Sequence, residues 1–114
     1  MERRGLDDSE TQTPVPDVTL AQLVTGERMN VQHYRFEPGA IVPRHRHEHE
    51  QAGFLYQGRL TFLLEDGREI VATAGDGYIL PSDMSHRVEN RGETPAVGVD
   101  IFSPPRPAPA WETE

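Results

Sequence analysis

The sequence predicts an all-β domain, a sandwich or a barrel, and three observations carry that prediction. Runs rich in valine, isoleucine, threonine and aromatic residues recur at spacings of about ten residues. Glycine, proline or aspartate closes almost every run, as turns require. No stretch repeats its apolar residues at the helical period of about 3.6 residues. A chain of 114 residues holds one such domain with a real core and little room for a second.

Taken in order, residues 1–16 are polar, charged and interrupted by Pro14 and Pro16, which predicts a flexible arm or a strand lent to a neighbour. β-Favouring runs occupy 18–26 and 28–39, closed by Gly26 and by Glu37-Pro38-Gly39. His33 falls mid-strand, where it reads as a packed or surface histidine. After the central stretch 39–58, runs 59–65 and 68–73 flank Asp66-Gly67. That pair predicts a hairpin with a two-residue turn, because glycine accepts the positive φ such a turn demands. Residues 74–83 read as turn, short strand, turn, with Pro81 ending the strand; 85–90 and 96–102 are the last two strands. The ending SPPRPAPAWETE is too rich in proline for more than an extended tail. Roughly eight to ten short strands result. The expected divisions are an arm over 1–16, one barrel over 17–106 and a tail over 107–114.

Composition narrows the chemistry. There is no cysteine, so disulfides and thiolate ligands are excluded and any metal must be held by nitrogen and oxygen. The net charge of −8 argues against nucleic acid, which needs clustered cations. All 11 basic residues are arginine, a bias that suits either a high-salt cytoplasm or arginine-favouring codons. No apolar run approaches the ~18 residues of a membrane span, and the first residues lack a signal-peptide core. The expectation is a soluble, cytoplasmic protein with no membrane partner.

The central stretch GAIVPRHRHEHEQAGFLYQG is where chemistry concentrates. In a strand, residues i and i+2 point to one side, so His45 and His47 can share one metal ion. Gln51 on the next strand and His86 far along the chain are further donors. Nitrogen and oxygen donors of this kind suit late divalent ions. His49 continues the alternation, yet a turn is expected before Gln51, so it reads as a rim or supporting histidine.

Two spacings here resemble the paired motifs of the cupins. The first is Gly39, five residues, His45-x-His47, three residues, Gln51, six residues, Gly58; the second is Gly75, five residues, Pro81, then Asp83, two residues, His86, three residues, Asn90. Glutamine stands where that family usually has glutamate. Asp83 stands where it usually has glycine, and aspartate tolerates the left-handed turn. The resemblance covers 28–102 and implies a small double-stranded β-helix, or jelly-roll barrel. It also implies that His45, His47, Gln51 and His86 bind one divalent metal (Zn, Ni, Fe or Mn). With a neutral glutamine as fourth ligand, the site keeps both charges of the ion, which strengthens its Lewis acidity and its attraction for anions.

In the last strand, Asp100 and Phe102 share one side while Val97, Val99 and Ile101 share the other. An aspartate among apolar residues is rarely left unpaired when buried. Arg106 follows two prolines and can grip a carboxylate at the barrel mouth. The run VDIFSPPR, with HxHxHEQ, resembles the KdgF family of small cupins, which linearise 4,5-unsaturated uronate monosaccharides to the open-chain 5-keto sugar. The resemblance implies Asp100 as the proton-transfer residue and Arg106 as a second catalytic group. It implies Phe102, Arg106 and Tyr56 as substrate contacts, a small anionic sugar as partner, and a homodimer. Two other classes stay open: a cupin dioxygenase of a small molecule, and a metal- or ligand-binding cupin without turnover.

Overall fold

The computed structural model describes residues 1–106; the expected tail over 107–114 lies outside the described residues. Among the described residues, ten strands and one 3₁₀ turn (Leu6–Asp8) account for the regular structure: β1 Thr11–Val15, β2 Val18–Thr25, β3 Asn30–Phe36, β4 Ile41–His45, β5 Glu50–Gln57, β6 Arg59–Leu64, β7 Glu69–Thr73, β8 Gly77–Leu80, β9 His86–Glu89 and β10 Ala96–Ser103. They form a six-stranded sheet in the order β1-β2-β3-β10-β5-β8 and a four-stranded sheet in the order β4-β9-β6-β7, every pairing antiparallel. This is the expected jelly-roll arrangement, in which alternate residues of each strand face one shared interior. Leu20, Tyr34, Phe36 and Leu55 of the larger sheet meet Val42, Leu60, Phe62 and Val88 of the smaller one to make the core.

Two expectations are corrected. Residues 11–15, expected in a flexible arm or in a strand lent to a neighbour, form β1, which pairs with β2 of its own chain at the edge of the larger sheet. Their alternation is invisible in the sequence because no β1 side chain is fully buried; the backbone ladder to β2 holds the strand. The Asp66-Gly67 hairpin exists, but its connection is three residues long. The Gly67 N–H donates to the Leu64 carbonyl and the Leu64 N–H to the Arg68 carbonyl, with Gly67 at φ 88°. A turn centred on Glu65 and Asp66, followed by a left-handed glycine, matches the right-handed twist of the flanking strands as well as a two-residue turn would.

Two local devices place the site. Between Val42 and His45 the β4–β9 register slips. This bulge lets both residues face inward although three positions separate them, an odd number that regular alternation would forbid. Asp83 takes the left-handed conformation expected of it, at φ 61°, and its N–H donates to the His47 carbonyl at 2.8 Å. The turn that the second motif builds thus pins the loop of the first.

Candidate metal centre

Three histidines converge where β4 ends, β5 begins and β9 starts. His45 lies directly opposite His86 in the β4–β9 ladder, with ring centroids 4.4 Å apart; His47 lies 5.6 Å from His45 and 5.5 Å from His86. All three are buried. Each ring holds its Nδ1 against a backbone carbonyl: Pro43 for His45 at 2.9 Å, His49 for His47 at 3.0 Å and Met84 for His86 at 2.9 Å. A carbonyl only accepts, so each Nδ1 carries the proton and each Nε2 presents a lone pair. The donor atoms of the three lie within 4.8 Å of one another, and His47 Nε2 is buried with no hydrogen-bond partner.

Charge agrees with geometry. Burial pushes His45 down to about 3 and His47 down to about 4, and lowers His86 as well. Neutral imidazoles at physiological pH are what a cation requires. The donor set therefore fits a late divalent ion held by nitrogen.

Gln51 lies on the inner side of β5, opposite Phe102 of β10 and Leu80 of β8. Its amide donates to Asp100, so the amide oxygen is the atom it can offer a cation. Asp100 and Phe102 do share the inner side of β10, as expected, and both are buried. Burial pushes the Asp100 carboxyl up to about 6, against hydrogen bonds from Tyr78 and Gln51 and the nearby Arg106 charge, which pull it down. Arg106 is itself buried. Its guanidinium carbon lies 5.4 Å from the centre of the Phe102 ring, and its backbone is clamped by Asn30, which accepts from the Arg106 N–H at 2.7 Å and donates to its carbonyl at 3.4 Å.

Gln51, Asp100, Phe102 and Arg106 line one cavity with His45 and His86, and its apolar lining is Leu20, Phe36, Val42, Leu60, Phe62 and Val88. Its interior space is about 30 Å³, room for one or two water molecules.

The structure separates Tyr56 from this group. Gln51, Gly53 and Leu55 point inward, so the alternation of β5 turns Tyr56 outward; it is 49% exposed and hydrogen-bonded to His33 at 2.6 Å. Its expected substrate contact is corrected accordingly. His49 supports the cluster through its backbone carbonyl, and its ring lies 5.4 Å from His47 and 6.3 Å from Phe102. Sequence reasoning missed Asn30, Gln32, Tyr34 and Tyr78. The signal for the two tyrosines was indirect: Gly53 and Gly98 sit in strand interiors, where glycine marks a close approach by another group.

Known proteins resemble this arrangement. The fold of KdgF from Halomonas sp. superposes with a TM-score of 0.83 at 24% identity, covering 94% of this chain and 96% of that one. The polyketide cyclase RemF from Streptomyces resistomycificus superposes at 0.82 with 18% identity, covering 95% of this chain and 82% of that one. At such identities the likeness is one of fold. A 74-residue stretch is 35% identical to a protein of Streptomyces cyaneus named polyketide synthase CurC, covering 64% of this chain and 47% of that relative, so the match spans about half of the relative's length. Among the described residues no helix is long and apolar enough to cross a membrane. The Cupin domain description matches residues 32–102, well over half of the chain, and with both histidine motifs inside that span the chain belongs to the cupin family.

Proposed function

We propose that the chain is a metal-dependent enzyme of non-redox proton transfer, opening 4,5-unsaturated uronate monosaccharides to the 5-keto-4-deoxyuronate. The observation that carries this reading is Asp100, a buried carboxyl sharing one small cavity with neutral imidazoles and a guanidinium. Arg106 favours an anionic guest, because its planar fork matches a carboxylate. The sugar ring is placed beside Asp100 and Arg106, with Phe102 as a wall of the site. There the ionised Asp100 takes the proton of the anomeric hydroxyl. The C1 carbonyl forms as the bond from C1 to the ring oxygen breaks, and the same carboxyl returns the proton to C4 while C5 becomes a ketone. The proton taken from oxygen is the one delivered to carbon, so no oxidant or organic cofactor is consumed. A carboxyl with a pKa of about 6 is suited to both halves of that transfer near neutrality. A divalent ion held by His45, His47, His86 and the Gln51 oxygen supplies Lewis acidity toward the developing negative charge. The substrate class comes from the resemblance of VDIFSPPR and HxHxHEQ to the KdgF family, whose Halomonas sp. member shares this fold.

The test is the ultraviolet absorbance of the conjugated C4=C5 bond. Protein loaded with Zn, Ni, Fe or Mn is expected to abolish it. Persistence of the band with galacturonate-, mannuronate- and guluronate-derived substrates under every metal would overturn the reading.

A second reading is favoured by the stretch shared with the polyketide synthase CurC and by the fold of RemF. In it, the same carboxyl removes a proton beside a ketone in a polyketide ring closure. Deuterium exchange into a β-diketone, faster with Asp100 than with Asp100→Asn and without any uronate turnover, would favour it. In either reading a homodimer fits the exposed apolar side of the larger sheet, with Phe54, Ile79 and Ile101; light scattering reads the mass.

A further inference from the structure

Asp100, Gly53 and Tyr78 stand in one row across β10, β5 and β8. Tyr78 does not project straight off its strand. It lies across Gly53, so closely that a Cβ on that glycine would overlap the phenol ring. Its hydroxyl reaches Asp100 Oδ1 at 2.7 Å. From the other flank, Tyr34 of β3 lies across Gly98 of β10 in the same way. The two hydroxyls meet 3.0 Å apart. A phenol has one proton, and a carboxylate only accepts. Tyr78 therefore donates to Asp100, and Tyr34 donates to Tyr78. Both phenols are held well above their ordinary range, chiefly by burial, so they remain donors at any physiological pH.

Two strand-interior glycines, each overlain by a tyrosine from the neighbouring strand, are a costly arrangement for packing alone, since glycine weakens a strand and buried hydroxyls need partners. Here both slots aim at one carboxyl. We propose that Tyr78, seated in the Gly53 slot and backed by Tyr34, is the positioning residue of Asp100, holding its carboxyl in one orientation toward the guest. This rests on the reading of Asp100 as the proton-transfer group, and the test separates the two.

The experiment compares wild type, Tyr78→Phe and Tyr34→Phe as full chains reconstituted with the same metal. Tyr78→Phe keeps the ring and removes the donor. It is expected to lower kcat on the unsaturated uronate about a hundredfold while KM stays within about twofold, the size of effect that misplacing a reacting group produces. Metal content and Tm are expected to stay near wild type, and Tyr34→Phe, one link further away, to lose less. The second readout needs no turnover: proton NMR of the wild type is expected to give a slowly exchanging phenolic resonance that Tyr78→Phe removes and Asp100→Asn shifts. An unchanged kcat would overturn the proposal, as would a parallel loss of kcat, metal and Tm, which marks a merely structural role. If wild type turns over no uronate, the functional reading fails by itself. The resonance then decides: shifted by Asp100→Asn it upholds the positioning role, and absent or indifferent to Asp100→Asn it ends it.

Discussion

His86, the first residue of β9, and Asn90, which follows its last, do opposite things with a buried polar group. Each is 1% exposed. Asn90 spends its amide on its own chain, donating to the Phe36 and Thr94 carbonyls at 3.0 Å each and accepting from the Gly92 N–H at 2.9 Å. His86 spends one nitrogen on the Met84 carbonyl and turns the other toward two more imidazoles. A buried polar group satisfied all round fixes a loop, whereas one holding a lone pair toward like neighbours is arranged for a guest. A single motif thus closes one end of the barrel and opens the other.

The contrast can be broken at either end. The largest effect is expected from His47→Ala, which removes one of three converging lone pairs. Elemental analysis after dialysis should fall from one ion per chain to nearly none, with the fold retained in circular dichroism. Next comes Asp100→Asn, expected to keep its ion and lower turnover by about a thousandfold, within the range for a lost proton-transfer group. Full turnover in that variant would remove Asp100 from the chemistry. At the closed end, Asn90→Ala is expected to cost about 3 kcal/mol in urea unfolding, about one per hydrogen bond lost, without changing the metal stoichiometry of the folded fraction.

The last effect is one of pH. In metal-free protein, His45 and His47 refuse protons until about 3 and about 4, while the same residues in the unfolded chain accept them near 6.5. Protons therefore favour the unfolded chain. Stability is full above about 6.5 and falls as pH drops toward 4, by at most about 1.4 kcal/mol per pH unit for each group. Urea midpoints measured with a chelator present would show it, and a flat profile would mean that the imidazoles are not held neutral.

Much of this was legible in the sequence because turns and short spacings are local. Gly26, Gly39 and Pro81 marked where strands end, and the i, i+2 spacing put His45 beside His47. What the spacing could not show was the bulge before His45, which depends on how β4 meets β9. Parity along β5 would have excluded Tyr56, since Gln51 faces inward and Tyr56 lies five residues on. Tyr34 and Tyr78 were out of reach for a different reason. Their meeting at Asp100 is set by ladders joining strands that are distant in the chain, and only the glycines beneath them hinted at it. β1 was missed because its side chains are too exposed to leave an apolar pattern.

That outermost strand has a further consequence. β1 carries Pro14, which offers no N–H, beside an irregular register between Gln12 and Val15. It gives the larger sheet a rim that is a poor template for another strand. Removing residues 1–16 would bare the margin of β2, which has no proline, and the shortened protein should then polymerise at concentrations where the intact one stays dispersed.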